Sequence, residues 1–143
     1  LKLRTNRNYI KDPVTGKIKT LNNQVVLLAE DHRNNQYVLS KMLEVAGVRS
    51  VTASNGLEAV EVIRTNKSVS LALLDLKMPL MDGYQAMKEI RKIRPDVVII
   101  AQTAYALQGD REKIIEAGFD DYLAKPITLD DLRSVIYKYL SEV

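Results

Sequence analysis

The sequence predicts a doubly wound α/β domain in which five parallel strands alternate with five helices. Short, branched apolar runs such as VVLLA at 25–29 are typical of strands that are buried on both faces of a sheet. Between these runs, apolar residues recur three or four positions apart, which indicates amphipathic helices. Because single helices connect successive strands, the strands are expected to pair in parallel with right-handed crossovers.

Each element has its own signal in the sequence. The predicted strands are VVLLA (25–29), VRSVTA (48–53), VSLALLD (69–75), VVIIAQT (97–103) and FDDYLAK (119–125). Gly47 and Gly118 are predicted to end the first and fourth helices, Ser54 to cap the second, and Pro95 to follow the third. Apolar residues on one face of the stretch 129–140 predict the fifth helix.

The first 24 residues differ in charge from the rest of the chain. They contain six Lys or Arg residues and one Asp, whereas residues 25–143 contain 15 basic and 17 acidic residues. We therefore predict a domain over 25–143 and a basic leader over 1–24, interpreted as a solvated linker in which Pro13 and Gly16 turn a small hairpin. A basic leader can also contact nucleic acid or a membrane surface, but the mildly acidic domain does not resemble a nucleic-acid interface.

The composition favours a cytoplasmic protein. Cysteine is absent, which excludes disulfides and thiolate metal sites. No apolar run approaches the roughly 20 residues of a membrane span, and no signal peptide opens the sequence. We expect the domain to contact neither nucleic acid nor a membrane.

Polar residues collect where the predicted strands end. The first strand is followed by Glu30 and Asp31, the third ends at Asp75, the fourth at Thr103 and the fifth at Lys125. In doubly wound sheets, the carboxyl ends of the strands form the ligand site. The fold should therefore bring three carboxylates, one hydroxyl and one ammonium into a single pocket.

Three carboxylates in one pocket would repel one another. Two such charges about 4 Å apart repel by on the order of 4 kcal/mol at an effective dielectric of 20, so either one is protonated or a cation lies among them. Oxygen ligands favour Mg²⁺ or Mn²⁺, and Mg²⁺ leaves coordination positions for a phosphate. A carboxylate nucleophile beside such a metal, with an ammonium and a hydroxyl, has what phosphoryl transfer onto aspartate needs.

Four segments together resemble a response-regulator receiver domain, the phospho-acceptor module of two-component signalling. They are VVLLAED, LALLDLKMPLMDGY, IIAQTAYA and DDYLAKPI, with 44 residues from Asp31 to Asp75 and 22 from Thr103 to Lys125. The resemblance covers nearly all of 25–143 and is greatest with receivers fused to histidine kinases. It implies a flavodoxin-like five-stranded parallel sheet with strand order 2-1-3-4-5.

The resemblance implies a phospho-acceptor and its metal ligands. Asp75 would take the phosphoryl group from a phosphohistidine. Asp31 and Asp75 would bind Mg²⁺ or Mn²⁺, Glu30 would assist through water, and the backbone carbonyl of Lys77 would complete the protein ligands.

The resemblance also implies the groups that respond to the phosphoryl group. Thr103 would hydrogen-bond the phosphoryl group and move with it, and Tyr122 would act as a rotamer switch that becomes buried when Thr103 moves. Lys125 would pair with Asp75 or with the phosphoryl oxygens. The peptide bond between Lys125 and Pro126 is expected to be cis.

Each of these residues also has an ordinary structural interpretation. The pair Glu30–Asp31 can cap a helix, Lys125 can be a surface lysine, and Tyr122 can serve packing alone. His32 directly follows the acidic pair and is interpreted as a loop side chain at the rim of the site rather than a ligand. The pair Asp120–Asp121 is expected to be solvated. These interpretations do not explain why the polar residues share one edge of the sheet.

Other functions with the same topology fit the sequence less well. An aspartyl-phosphate phosphohydrolase typically needs a second acid two residues after the nucleophile, where this chain has Lys77. A flavin-binding module or a P-loop nucleotidase needs a phosphate-binding loop after the first strand, where the acids of EDHRNN would repel a phosphate. The isolated domain is expected to catalyse only its own phosphorylation and dephosphorylation.

The resemblance favours a receiver within a hybrid histidine kinase phosphorelay, with a stand-alone response regulator as the alternative. The partner would be a histidine kinase or a histidine phosphotransfer domain that docks on the first helix. The fourth helix, fifth strand and fifth helix would form a possible homodimer face. Tyr105, two residues after Thr103, is predicted to hinder hydrolysis of the phosphoryl group.

Overall fold

A computed structural model describes residues 8–21, 24–104 and 108–140, and these residues form seven strands and five helices. The strands are β1 (Asn8–Lys11), β2 (Ile18–Leu21), β3 (Val25–Ala29), β4 (Arg49–Ala53), β5 (Val69–Asp75), β6 (Val98–Thr103) and β7 (Asp121–Ala124). The helices are α1 (Arg33–Val45), α2 (Gly56–Thr65), α3 (Gly83–Ile93), α4 (Gln108–Ala117) and α5 (Leu129–Tyr139).

Five of the strands form one parallel sheet in the order β4-β3-β5-β6-β7. If these five strands are numbered 1 to 5 along the chain, starting at β3, their order in the sheet is 2-1-3-4-5. The predicted fold class is therefore confirmed. Helices α1 and α5 cover one face of the sheet, and helices α2, α3 and α4 cover the other. The strand order reverses between β3 and β5, which opens a crevice at the carboxyl edge of the sheet.

Side chains alternate between the two faces along each strand, and this alternation fixes where the strand-end residues point. In β5, Leu71 and Leu73 pack against α1 and α5, whereas Ala72 and Leu74 pack against the opposite helix layer. Asp75 therefore points to the face that α1 and α5 cover. Three more polar side chains are expected on that face, because each lies two positions after a residue that packs against α1 and α5. They are Glu30 (after Leu28), Gln102 (after Ile100) and Lys125 (after Leu123).

An antiparallel hairpin of β1 and β2 precedes the sheet, as the sequence predicts. The hairpin packs on the domain through two side chains, because Ile10 is 0% and Leu21 is 1% exposed within the core beneath α1 and α5. One side of the hairpin is therefore part of the core, whereas Val14 at 85% and Ile18 at 55% exposed are in contact with solvent. A domain boundary near residue 24 stays a prediction.

Contacts at two helix ends attach the hairpin to the domain. Lys19 Nζ lies 2.6 Å from the carbonyl oxygen of Tyr137 and 3.3 Å from that of Leu140, so its ammonium binds carbonyls at the end of α5. At the end of α1, Gly47 has a φ of +91°, and a Cβ added there would collide with the carbonyl oxygen of Tyr9. The close packing of the hairpin therefore depends on Gly47.

The start of α2 differs by one residue from the prediction. Asn55 is the N-cap, and its side chain accepts a hydrogen bond from the backbone N–H of Glu58. Ser54 is not the cap. Its backbone N–H instead donates to Glu58 Oε1 at 2.7 Å, so Glu58 connects the two positions.

The acidic pair Asp120–Asp121 lies at the start of β7, and its side chains are 37% and 25% exposed, so the expected contact with solvent is only partial. Asp120 Oδ2 accepts hydrogen bonds from Ile99 N at 2.8 Å and from Arg91 Nη2 at 2.9 Å. Asp121 Oδ2 accepts a hydrogen bond from the Tyr139 hydroxyl at 2.9 Å. Both carboxylates therefore connect β7 to neighbouring elements, and β7 begins at Asp121 rather than at residue 119.

Two further observations concern a peptide bond and the length of the helices. The peptide bond between Lys125 and Pro126 is cis, as predicted. Within the part of the chain that the structure describes, no helix is long and apolar enough to cross a membrane.

Candidate functional site

Four polar side chains form a row across the carboxyl edge of the sheet, on the face covered by α1 and α5. In spatial order across the strands they are Glu30, Asp75, Gln102 and Lys125. Glu30 and Gln102 are fully buried, and Asp75 is 6% exposed. Three of the four are residues that the sequence predicts for the site, and Gln102 is not among the predicted residues.

Lys125 forms an ion pair with Asp75 across the position of Gln102. Lys125 Nζ lies 2.7 Å from Asp75 Oδ2 and 3.5 Å from Glu30 Oε1. Burial of the ammonium opposes its charge, but the hydrogen bond and charge of Asp75 and the charge of Glu30 outweigh burial and raise the pKa of Lys125. The site therefore contains the predicted ion pair, with the lysine held in its charged form.

Asp31 and His32 lie at the mouth of the site. His32 Nδ1 is 3.1 Å from Asp31 Oδ1 and 3.4 Å from Glu30 Oε2. The charge of Asp31, together with hydrogen bonds to both acids, raises the pKa of His32. His32 is 71% exposed, as expected for a residue at the rim, and its ring also contacts both preceding carboxylates.

A cleft of about 510 Å³, here called the acceptor cleft, joins the predicted residues. Asp31, Asp75, Thr103 and Lys125 all line it, and Thr103 is only 5% exposed at the end of β6. Two of the three predicted carboxylates, the hydroxyl and the ammonium are therefore brought together as the sequence predicts. Glu30 lies beneath this cleft rather than on its lining.

The loop after β5 holds the carboxylate of Asp75. The backbone N–H of Lys77 donates to Asp75 Oδ1 at 3.1 Å. The loop ends in a capping box between Asp82 and Gln85 at the start of α3. The backbone of Gly83 lies so close to β5 that an added Cβ would collide with the carbonyl oxygen of Asp75. Close packing on both sides of the loop therefore fixes the position of Asp75.

Tyr122 lies outside the acceptor cleft. Its ring packs against the layer of α2, α3 and α4, and the guanidinium carbon of Arg111 lies 5.1 Å from the ring centroid. Thr103 and Tyr122 share one face of the sheet, because β6 pairs Thr103 with Ala124 in β7. The switch role of Tyr122 stays a prediction. Tyr105 lies outside the described residues, so its predicted effect on hydrolysis also stays a prediction.

The sequence analysis missed two glutamines at the site. Gln36 Nε2 donates to the carbonyl oxygen of Glu30 at 2.6 Å and to Ser54 Oγ at 3.1 Å, which connects α1 to two loops. Gln102 lies in the apolar run VVIIAQT, two positions after Ile100. The alternation of that strand indicates that Gln102 points to the same face as Asp75, and this signal was available in the sequence.

The donor atoms of the site suit Mg²⁺. The oxygen and nitrogen atoms of Glu30, Asp31 and His32 lie within 4.8 Å of one another. Glu30 Oε1 is buried 3.5 Å from Lys125 Nζ and has no hydrogen bond to any described residue, so this carboxylate keeps an oxygen that a further positive charge would satisfy. Carboxylate oxygens are the ligands that hard divalent ions prefer. Asp75 adds a third carboxylate beside the same cleft.

A match to a known family shows which protein family the chain belongs to. Residues 26–137 match the family described as response regulator receiver domain. The chain belongs to this family. The receiver domain is 47% identical over 118 residues to the peroxide stress-activated histidine kinase mak1 of Schizosaccharomyces pombe. This alignment covers 78% of the chain but only 7% of the kinase, so the chain corresponds to a small part of that relative.

Solved structures of receiver domains are also similar. The receiver domain of sensor histidine kinase PA1611 from Pseudomonas aeruginosa, with a magnesium ion in its active site cleft, is 40% identical with a TM-score of 0.74. That match covers 81% of this chain and 96% of the other. A co-crystal structure of the Saccharomyces cerevisiae histidine phosphotransfer protein Ypd1 and the Ssk1 receiver domain matches at 31% identity with a TM-score of 0.75, over 81% of this chain and 88% of that chain.

Proposed function

We propose that this receiver domain accepts a phosphoryl group on Asp75 and so relays a two-component signal. The ion pair between Lys125 and Asp75, at 2.7 Å within a cleft that Asp31 and Thr103 also line, carries the proposal. Asp75 is almost fully buried, yet one side of its carboxylate faces a cleft that a phosphodonor can enter. This arrangement suits a nucleophile better than a structural ion pair.

In the proposed reaction, an oxygen of Asp75 attacks the phosphorus of a phosphohistidine. An O–P bond forms and the N–P bond breaks, and the imidazole leaves with the bonding electron pair and takes up a proton. Lys125 stabilises negative charge on the transferred oxygens. Mg²⁺, or Mn²⁺, held by Asp31, Asp75 and the Lys77 carbonyl and assisted by Glu30, would supply further charge stabilisation when bound.

The proposed response to phosphorylation involves Thr103 and Tyr122. The Thr103 hydroxyl lines the acceptor cleft and would donate a hydrogen bond to the phosphoryl group. Movement of Thr103 would open space on the face of the sheet that it shares with Tyr122. An inward turn of the Tyr122 ring would then exchange its contact with the Arg111 guanidinium for burial beneath α4.

The proposed context is a phosphorelay that includes a hybrid histidine kinase. The similarity to receiver domains of histidine kinases supports this context, and the Ssk1 receiver that crystallised with Ypd1 supports a phosphotransfer protein as the donor. Helix α1 is the proposed docking surface, since Tyr37 is 63% and Val38 50% exposed there. A stand-alone regulator is the alternative, and the sequence of the native gene product upstream of residue 1 distinguishes the two.

Three finer points belong to the same proposal. The receiver domain proper is proposed to span 25–143, preceded by the basic segment 1–24. Helix α4, strand β7 and helix α5 are the proposed homodimer face, where Ile115 is 47% exposed. The domain is proposed to work in the cytoplasm without binding nucleic acid or membrane.

Intact-mass spectrometry after incubation with acetyl phosphate and Mg²⁺ tests the acceptor role. We expect one added phosphoryl group in the parent protein and none in Asp75→Asn. Glu61→Gln changes an exposed acid on α2 and is the control that should still be phosphorylated. A parent protein that gains no phosphoryl group, or an Asp75→Asn variant that gains one, would contradict the proposal.

A further inference from the structure

Leu80 combines a strained backbone with an exposed apolar side chain. It lies in the loop between β5 and α3, where its φ is +67°. The backbone N–H of Met81 donates to the carbonyl oxygen of Pro79 at 2.7 Å, which closes a γ-turn centred on Leu80. A γ-turn with a positive φ at its centre is the rare and strained form, because a Cβ disfavours this backbone.

The fold itself does not account for a leucine at this position. Leu80 is 78% exposed, so it contributes little to the core, and a glycine would adopt the positive φ without strain. An exposed leucine on ordinary backbone needs no explanation. Residues with strained backbone, however, cluster at functional sites, where contact with a ligand or partner can favour a residue that stability does not.

The loop that carries Leu80 borders the acceptor cleft. It contributes to a depression on the surface that shares four residues with that cleft, namely Asp31, Leu76, Lys77 and Asp82. Pro79, the neighbour of Leu80, lines the same depression. A protein whose phosphohistidine reaches Asp75 through the cleft therefore covers this loop with its own surface.

A second exposed apolar residue lies beside the loop. The backbone N–H of Gly56 donates to the carbonyl oxygen of Met81 at 3.0 Å, which joins the loop to the start of α2. Leu57 and Leu80 each follow or precede one of these two residues in the chain, and Leu57 is 50% exposed. Together with Pro79, which is also exposed, they form an apolar patch, here called the loop patch.

We propose that the loop patch is a docking surface for the histidine phosphotransfer protein that supplies the phosphoryl group, with Leu80 as its anchor. The inference rests on the proposed acceptor role of Asp75. Asn35 of α1 also lines the acceptor cleft, so a donor bound to α1 and to the loop patch contacts the receiver on both sides of the acceptor. Leu57 and Leu80 do not line the cleft, so a small phosphodonor bound there does not touch them.

Two substitutions at Leu80 separate the side chain from the backbone strain. Leu80→Ala removes most of the apolar side chain and keeps the strained Cβ, whereas Leu80→Gly removes both. Val14→Ala is the matched control, because it truncates an apolar residue of the hairpin that is 85% exposed. The probe is the phosphotransfer protein Ypd1 of Saccharomyces cerevisiae.

Four quantities are measured for each variant. Isothermal titration calorimetry gives the Kd of unphosphorylated Ypd1, and thermal unfolding gives the melting temperature. The rate of phosphorylation is measured in the presence of Mg²⁺ with two donors, phosphorylated Ypd1 below its Kd and acetyl phosphate.

We expect both Leu80 variants to bind Ypd1 about tenfold more weakly, as expected when a leucine side chain is lost from an interface. Transfer from phosphorylated Ypd1 should slow by the same factor, while phosphorylation by acetyl phosphate stays unchanged. Leu80→Gly should melt at a higher temperature than Leu80→Ala, since glycine relieves the strain. Val14→Ala should match the parent protein in all four measurements.

A Kd of Leu80→Ala for Ypd1 equal to that of the parent protein would overturn the proposal, as would a parent protein that does not bind Ypd1. If Leu80→Ala instead dissociates a dimer of the parent protein in sedimentation experiments and binds Ypd1 normally, the loop patch joins two copies of the chain and the proposal is wrong. Failure of acetyl phosphate to phosphorylate the parent protein would refute the acceptor role of Asp75, while the Kd for Ypd1 still decides whether Leu80 is a docking residue.

Discussion

Lys125 Nζ lies 2.7 Å from Asp75 Oδ2, although the two residues are 50 positions apart in the sequence. The strands that end near them, β5 and β7, are not neighbours, because β6 lies between them. The long lysine side chain therefore crosses a whole strand to reach the carboxylate. This reach couples the charge of Asp75 to the segment between β7 and α5.

Removal of the lysine charge should destabilise the domain. In Lys125→Met, the nearly buried carboxylate of Asp75 loses its counter-charge while Glu30 stays close, so we expect the free energy of unfolding to fall by about 1–3 kcal/mol. Urea denaturation measures the change. Lys88→Met, which alters an exposed lysine on α3, should change the stability by less than about 0.5 kcal/mol.

The double variant Asp75→Asn/Lys125→Met checks the cause of that loss. It removes both charges, so it should be more stable than Lys125→Met alone. If the double variant is as unstable as the single one, lost packing of the lysine stem rather than lost charge explains the effect.

Mg²⁺ should stabilise the domain by relieving repulsion among Glu30, Asp31 and Asp75. An ion that binds only the folded state adds about 2.7 kcal/mol at one hundred times its dissociation constant. Thermal unfolding with and without Mg²⁺ measures this gain as a higher melting temperature. Asp31→Asn should reduce the response, whereas Glu61→Gln, far from the site on α2, should keep it. A melting temperature of the parent protein that does not change with Mg²⁺ would count against the metal site.

A methyl group at Gly83 should disturb the loop that connects β5 to α3. The added Cβ of Gly83→Ala would collide with the carbonyl oxygen of Asp75, and overpacking of this kind costs about 1–3 kcal/mol. Gly109 in α4 is the matched control, because a Cβ added there meets no described atom within 4 Å. Gly109→Ala should raise the stability by about 0.5–1 kcal/mol, since alanine favours a helix. Equal denaturation midpoints for both variants would refute the close approach at Gly83.

The hairpin offers a test of whether residues 8–21 belong to the folded unit. Ile10 is 0% exposed and Ile18 in the same hairpin is 55% exposed. Ile10→Ala should lower the free energy of unfolding of the whole domain by about 2–5 kcal/mol, because it empties a buried site. Ile18→Ala should change it by less than about 0.5 kcal/mol. If the two variants unfold at the same denaturant concentration, the hairpin does not stabilise the domain.

The sequence was sufficient to predict the sheet and most of the site. Apolar runs such as VVLLA and VSLALLD identify buried strands, and strand ends in a doubly wound sheet share one edge. Strand-end position alone therefore assigns Asp31, Asp75, Thr103 and Lys125 to one cleft. The capping residue of α2 was misplaced by one position, because Ser54 and Asn55 both have suitable side chains and only the backbone geometry distinguishes them.

The sequence by itself determined the order of the elements, the composition of the acceptor cleft and the resemblance to receiver domains, since periodicity and strand-end position depend on local pattern. Only the tertiary structure decided that Ile10 and Leu21 of the hairpin join the core, and that Gln102 lies between the strands that end at Asp75 and near Lys125. These features depend on register between strands and on which surfaces the helices cover. Such contacts join residues far apart in the chain, and no local pattern specifies them.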